Sequence, residues 1–269
     1  MLSNSARSLA MIAILFTGAC GGHSPAPSNT AASGETQSTS QPREQVVAAA
    51  NVLITTRYRY TLLLAAKDVR TFAATDQAVE TVGDVDPIAS TLAVKTSFKS
   101  PAQSYALDLR TVDGSSFLKI TGKNITTAVT GKWLRIETSR ISSSWISSLA
   151  DATDPSGAKS LVNAIVAVQR TGAHTYRGTF DLTKVRGPLA SPTQVSTLGD
   201  KARSIPFELT LDGQGRLVSI VVPSPYAKAS DPGTFTFTLS NYGARVDVVA
   251  PPAGQTTTAP ESLYGQLGS

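Results

Sequence analysis

Residues that could carry out chemistry are few in this sequence, and their spacing assembles no catalytic site. The two histidines, His23 and His174, have no cysteine beside them, so neither a zinc site nor a Cys–His nucleophile pair can form. Ser-x-x-Lys, a spacing found in penicillin-binding enzymes, occurs at 116–119 and 156–159, but the accompanying Lys-Thr-Gly is missing. The sequence therefore predicts no enzymatic activity and no cofactor.

Two carboxylate pairs are the remaining candidates for a metal site. Asp84 lies two residues from Asp86, and Asp151 three residues from Asp154. Neither pair has the Gly-centred loop or the third acid of a calcium site. We expect both pairs in solvated turns and predict no bound metal, and we expect His174 on the surface.

The single cysteine, Cys20, indicates a different kind of chemistry. It follows Arg7, an apolar run over 8–16 and three small residues at 17–19. This is the order of an export signal, and the run is too short for a bilayer, which takes about 20 apolar residues. The segment resembles the lipobox of bacterial lipoproteins, in which the cysteine thiol takes a diacylglyceryl group. Residues 1–19 are thus predicted to be a signal peptide and Cys20 the lipidated residue; the alternative is an ordinary signal peptide with a coincidental cysteine.

The composition is that of an ordinary globular protein, with 41% apolar and 16% charged residues. Arg7 is the only charged residue before Cys20, so removal of the leader lowers the net charge from +5 to +4. The Lys and Arg residues are scattered along the chain. Scattered charge favours weak attraction to anionic lipid or wall polymer, and without a basic stripe we expect no nucleic-acid partner.

Composition also divides the chain into segments. Residues 20–41, the lipidated cysteine and the polar stretch behind it, are almost wholly Gly, Ser, Thr, Ala, Pro and Gln, which predicts a flexible tether. Residues 251–269 have a similar composition, and we expect them to be a flexible C-terminal tail. The block between them, 42–250, has the size of one β-rich domain.

Helix signals occur at a few places in this block. An apolar stripe of helical period follows Ser40 and Pro42 and predicts a first helix over 43–54. Asp154 and Pro155 are typical of the cap and first turn of a second helix. That helix would place three apolar residues on one face: Leu161, Ile165 and Val168. Two shorter helical segments are also expected: 144–150 and 192–198.

Elsewhere apolar and polar residues alternate, as in half-buried antiparallel strands. Four such stretches are clear: Tyr58–Leu64, Tyr105–Leu109, Ile205–Leu211 and Phe235–Leu239. Asp-Gly pairs at 113–114 and 212–213 predict hairpin turns that need positive φ. The pattern predicts one large sheet with a solvated outer face and amphipathic helices against its inner face.

Several segments together carry a family resemblance: 131–136, 175–182, 205–222, and 242–248 running into Pro251 and Pro252. In this order, behind a lipobox and a tether, they resemble actinobacterial lipoproteins of the LppX/LprG kind, which share the half-barrel of the LolA lipoprotein carriers. The resemblance lies in framework strands and turns. It implies an α+β fold, a large curved antiparallel sheet with a few helices packed on its concave face around an apolar cavity, and an acylated lipid as ligand.

The apolar strand faces and one helix supply candidate lining residues for such a cavity: Tyr58, Tyr60, Leu62, Leu107, Leu109, Leu134, Ile136, Leu161, Ile165, Phe207, Leu209, Ile220, Phe235 and Phe237. Core packing alone would also account for the aromatic residues among them. A buried CH₂ group is worth about 0.8 kcal/mol, so a 16-carbon chain carried bare through water would cost roughly 12 kcal/mol. A hydrophobic cavity would remove most of that cost.

The predicted function is that of a lipoprotein anchored through Cys20 to the extracytoplasmic face of a cell membrane. It would bind an acylated lipid or other amphiphile and carry or present it in the envelope, as a monomer. The alternative is a filled-core domain that serves as an envelope sensor or docks a protein partner. An apolar hollow between sheet and helices favours the first function, whereas an exposed apolar patch on the convex face favours the second.

Overall fold

The computed structural model describes residues 40–65, 78–99, 104–123, 131–141, 148–187, 189–190, 192–225 and 233–267. The chain divides into two units, Met1–Thr36 and Gln37–Ser269, and all described residues belong to the second. Cys20, the predicted leader and most of the tether lie outside the described residues, as do 142–147, which include most of one predicted short helix. Lipidation and export therefore stay predictions.

Within the described residues, twelve strands form one sheet in the order β12-β6-β5-β4-β3-β2-β1-β11-β10-β9-β8-β7. Their bounds are β1 Tyr58–Ala65, β2 Ala78–Asp86, β3 Thr91–Lys99, β4 Ser104–Val112, β5 Ser115–Lys123, β6 Trp133–Ile136, β7 Ile165–Arg170, β8 Thr175–Phe180, β9 Ile205–Leu211, β10 Leu217–Pro223, β11 Thr234–Ser240 and β12 Thr256–Thr258. The pairings are antiparallel except that of β12 with β6, which is parallel. The sheet is curved and does not close on itself, so the predicted α+β fold is confirmed.

The described residues form four α-helices: α1 Ser40–Asn51, α2 Ala158–Asn163, α3 Pro192–Leu198 and α4 Glu261–Leu267. α1 continues into a 3₁₀ turn over Val52–Ile54, which confirms the helix predicted over 43–54, and α3 confirms the one over 192–198. α1 packs against α2, β7 and β10 with Val46 and Ala49 buried, and Leu53 of the 3₁₀ turn is buried too. None of the helices within the described ranges is long and apolar enough to cross a membrane.

The second predicted helix is wrong at both ends. α2 begins at Ala158, behind Gly157, and not at Pro155. It ends at Asn163, and Ile165 and Val168 lie on β7, which pairs with β8. Ile165, Val166 and Val168 are β-branched, and such residues favour an extended backbone where a neighbouring strand is present to pair with. Leu161 and Ile165 nevertheless reach the same hydrophobic core, one from a helix and the other from a strand.

The core lies on one face of the sheet, which we call the inner face. Burial alternates along β3, β9 and β11, as the sequence pattern predicts. The turn between β4 and β5 has positive φ at both Asp113 and Gly114, as expected. In the β9–β10 turn only Gly215 has positive φ, and the hairpin register shifts between Leu217 and Ser219.

The C-terminal segment is ordered by its contacts, so the prediction of a flexible tail is wrong for its described part. After β11, residues 241–255 cross the outer face of the sheet, and we call this segment the strap. The Gly243 N–H donates to the Arg57 carbonyl at 2.9 Å, and Arg110 Nη1 donates to the Val249 carbonyl at 3.0 Å.

Beyond the strap, the segment joins both the sheet and the core. β12 pairs with the free edge of β6, and α4 buries Leu263 and Tyr264. The Tyr264 hydroxyl accepts the Glu137 N–H at 3.0 Å. The three threonines of β12 favour an extended backbone, and the otherwise unpaired edge of β6 gives this strand its partner. Composition alone does not predict that pairing.

Candidate ligand-binding face

The residues predicted to line a cavity come together on the inner face. Thirteen of the fourteen are buried in one hydrophobic cluster, and Leu107 is partly buried against it. The same cluster includes large residues that the prediction missed: Leu53, Leu92, Phe98, Leu118, Phe180 and Leu182. Phe98 and Leu118 follow the same alternation as the predicted strands, so their periodicity was a usable signal.

Some inner-face side chains of β4, in the middle of one half of the sheet, are not fully buried. Tyr105 and Leu107 point to the inner face and are partly exposed, although β4 is paired on both sides. The neighbouring Phe98 is 1% exposed, and its ring stacks on that of Tyr105 with centroids 4.4 Å apart. We call Tyr105 and Leu107, together with the buried Phe98 and Ile120 beside them, the β4 patch; its partly exposed surface belongs to Tyr105 and Leu107.

Two polar atoms lie inside this apolar face. Tyr58 is 1% exposed and Tyr60 is 0% exposed. The Tyr60 hydroxyl has no hydrogen-bond partner among the described residues, whereas a hydrogen bond with the Ser156 side chain acts to lower the pKa of Tyr58. Their ring centroids are 6.4 Å apart. Burial raises the pKa of both hydroxyls well above the usual value, and the charge of Asp154 acts in the same direction. Both hydroxyls therefore stay protonated and able to donate.

Asp154 lies beside these tyrosines, in the loop that leads into α2. Its carboxylate accepts the backbone N–H groups of Lys159 at 3.2 Å and Ser160 at 2.7 Å, and thus satisfies donors in the first turn of the helix. Burial raises the pKa of Asp154 to about 7, although these two N–H groups act to lower it.

The expectation of solvated carboxylate pairs is confirmed only in part. Asp151 is exposed and accepts from Thr153 within its turn, but Asp154 is largely withdrawn from solvent because the loop folds its side chain back onto α2. Asp86 is buried too, and burial acts to raise its pKa, but the ion pair with Arg57 at 2.5 Å and the N–H groups of Ala89 and Ile88 together lower it. His174 is exposed, as predicted.

Neither pair forms a metal site. Nε and Nη2 of Arg59 each donate a hydrogen bond to the Asp84 carboxylate at 2.7 Å. Each acid of the Asp84–Asp86 pair therefore has an arginine as its partner. Across the described ranges, no group of three or more His, Cys, Asp or Glu side chains is placed to hold a metal ion.

A small polar cavity of about 150 Å³ lies on the outer face, between β1–β3 and the strap. Its charged lining residues pair with one another, Arg59 with Asp84 at 2.7 Å and Arg245 with Asp247 at 2.6 Å. Lining groups that neutralise each other offer no net charge to a ligand. This cavity is therefore a weaker candidate than the inner face.

The described part of the outer face carries no continuous apolar docking patch. The exposed large apolar side chains of the described residues lie on different elements: Ile54, Leu63, Ile88, Val166 and Val249. Trp133 is on the outer face as well, but the Arg110 guanidinium lies over its ring, 4.6 Å from the centroid. Isolated apolar residues of this kind are normal on a protein surface and do not form a docking patch.

Comparison with known proteins gives no family assignment from sequence. No family model and no curated protein matches the chain. Among solved structures, LprF from Mycobacterium bovis is similar with a TM-score of 0.46 and 14% identity, over 79% of this chain and 97% of that one. A DUF1329 family protein from Desulfovibrio piger ATCC 29098 has a TM-score of 0.27 and 12% identity, over 78% and 95%. The fold assignment rests on the strand order and register.

Proposed function

We propose that this protein is a lipoprotein, anchored through Cys20 on the extracytoplasmic face of a cell membrane, that binds an acylated lipid or similar amphiphile. The ligand would lie against the inner face of the sheet and be carried or presented in the envelope. The leader, the single cysteine and the polar segment behind it support the anchor. The wide apolar face supports the ligand class.

The β4 patch is the observation that carries the proposal. A central strand of a sheet normally has its inner-face residues as deeply buried as those of its neighbours. Here Leu109 is 4% exposed, whereas Tyr105 and Leu107 on the same strand are only partly covered. An acyl chain placed there would bury apolar surface on both partners, at about 25 cal/mol for each Å² removed from water.

Substitution within the patch tests the proposal. The full-length protein would be titrated with a fluorescent fatty-acyl methyl ester. Leu107→Trp fills the patch, so we expect affinity to fall roughly tenfold, equivalent to about 1.4 kcal/mol. Stability should change little, because the side chain is already partly exposed.

The matched control is Ala106→Trp, which places the same ring one residue away on the outer face. It should bind the probe as the wild type does. Equal affinity of wild type and Leu107→Trp for the probe would show that the β4 patch is not part of the binding site. No binding by wild type would leave the docking-module alternative, for which the outer face shows no apolar patch among the described residues.

A further inference from the structure

We propose that the outer face of β3–β6 is a cationic surface that contacts a membrane rich in anionic lipid. We call it the cationic face, and it is formed by Lys95, Arg110, Lys119 and Arg135. It lies on the opposite side of the sheet from the ligand-binding face. The reach of the domain to the membrane rests on the proposed anchor at Cys20.

Strand register brings together cations that are scattered along the chain. Lys95 pairs with Asp108, Asp108 with Lys119, and Lys119 with Trp133, so these residues form one row across four strands. Val94, next to Lys95, is buried on the inner face, which places the row on the outer face. Two strand spacings separate Lys95 from Lys119 by roughly 10 Å.

The other two cations lie in the adjacent row, where Arg110 and Arg135 are on either side of Phe117. Residues two apart on a strand share a face and are roughly 7 Å apart. The Trp133 ring holds two of the cations close to one another. The Arg110 guanidinium is 4.6 Å and the Lys119 ammonium 5.8 Å from its centroid, distances typical of cation–π contacts.

On the other half of the sheet, arginines of the outer face have carboxylate partners. Arg59 pairs with Asp84 and Arg177 with Glu208, each at 2.7 Å. Among the described residues, none of the four cations of the cationic face makes an ion pair. Asp108 is the single acid in their two rows on β3–β6, so four cations and one acid leave a charge of +3 there.

These charges are close enough to act together. Their separations are comparable to the Debye length of about 8 Å at physiological ionic strength, so the cations repel one another and attract the same counter-charge. Lys95 and Arg135 are exposed, and Arg110 and Lys119 are partly exposed. An anionic partner would therefore relieve the repulsion without any rearrangement of the sheet.

A bilayer surface is the partner that fits this arrangement. The four cations lie on one continuous sheet face, which suits a broad charged surface such as a layer of lipid headgroups. A flexible segment over 20–41 would hold the domain on the order of 25 Å from an anchored Cys20, within reach of that layer. Each Lys or Arg near an anionic membrane strengthens binding by about fivefold.

Lysine acetylation in the presence of vesicles tests which face meets the membrane. The full-length protein would be mixed with vesicles of phosphatidylcholine, alone or in an equimolar mixture with phosphatidylglycerol, acetylated briefly and analysed by mass spectrometry. Lys95 and Lys119 should react more slowly on the mixed vesicles, by about twofold or more. Lys184 and Lys201, between β8 and β9, should react equally on both. A leader that inserts into both kinds of vesicle does not alter this comparison between residues.

A double variant with a matched control measures the contribution of the charges. Lys95→Gln combined with Arg135→Gln removes two exposed cations from the cationic face. The preference for mixed over neutral vesicles, measured by co-sedimentation, should fall roughly 10–30-fold. Arg186→Gln combined with Lys201→Gln changes the net charge equally at two exposed positions between β8 and β9, and should keep most of the preference.

Three outcomes would overturn the inference. Lys95 and Lys119 would react equally on the two kinds of vesicle, or both double variants would lose the preference equally, which would indicate an effect of net charge alone. Protection of these lysines by soluble polyglutamate but not by vesicles would identify an acidic protein surface as the partner. The proposed function is tested separately, by Leu107→Trp for the ligand and by Cys20→Ala for the anchor, so its failure is distinguishable.

Discussion

The Tyr60 ring packs directly on Gly83 across the β1–β2 pair. The two residues are opposite each other in register, and a Cβ at position 83 would collide with the ring. The orientation of a fully buried tyrosine therefore depends on a missing side chain on the next strand.

Gly83→Ala should destabilise the protein by about 1–3 kcal/mol, because the added methyl group overpacks a filled core. Thermal or urea unfolding would measure this. Gly213→Ala is the control, since an added methyl group at Gly213 would enter open space and the backbone there lacks a positive φ. Equal melting temperatures for the two variants would contradict the close Tyr60–Gly83 contact.

Stability should depend on pH through Asp154. Its pKa rises from 3.8 to about 7 on folding, so between these values the folded state binds more protons than the unfolded state. This group therefore stabilises the fold below about pH 4, and its contribution declines as pH rises towards 7, by up to about 4 kcal/mol. Asp86, Asp181 and Asp212 have lowered pKa values and act in the opposite direction.

The contribution of Asp154 is isolated by Asp154→Asn, which keeps an oxygen for the backbone N–H groups but does not titrate. Relative to this variant, wild type should lose stability between pH 4 and pH 7. Parallel profiles for wild type and Asp154→Asn would show that the carboxyl is not desolvated.

Leu263→Ala should cost about 2–4 kcal/mol, because the side chain is 2% exposed and truncation leaves a cavity. The neighbouring Ser262→Ala, at an exposed position of α4, should have almost no effect. Chemical denaturation would compare the two variants. If Leu263→Ala leaves the free energy of unfolding unchanged, α4 does not pack against the core, and the flexible tail expected from composition is correct.

Phe207→Ala should cost about 3–5 kcal/mol, because the ring is 3% exposed and lies against Phe180. Leu107→Ala should cost less, since its side chain is already partly exposed. Urea denaturation midpoints give both values. A loss below about 1 kcal/mol for Phe207→Ala would mean that the wall formed by β9 and β10 borders empty space.

Cys20→Ala should release the protein from the membrane into the medium, because the cysteine sulfur is the only acceptor for the predicted diacylglyceryl group. Membrane fractionation and immunoblotting would follow the two forms. Continued sedimentation of the variant with membranes would contradict the lipoprotein assignment.

The sequence by itself determined the local elements and their apolar faces. Alternation placed Tyr58, Tyr60, Phe207 and Phe237 on buried faces, and start signals with an apolar stripe located α1, because strand and helix periods depend on neighbouring residues. The half-barrel fold followed from these elements together with the family resemblance.

Only the tertiary structure decided which distant segments pair. β1 pairs with β11, and β12 joins β6 by a parallel pairing that no turn specifies. Pairing with β8 also places Ile165 and Val168 in an edge strand, where the sequence pattern predicted a helix. Burial of Asp154 beside Tyr58 and Tyr60, and the partial cover of Leu107, depend on how loops and helices lie over the sheet. Such packing arises from contacts between residues far apart in the chain, which periodicity over a few residues does not encode.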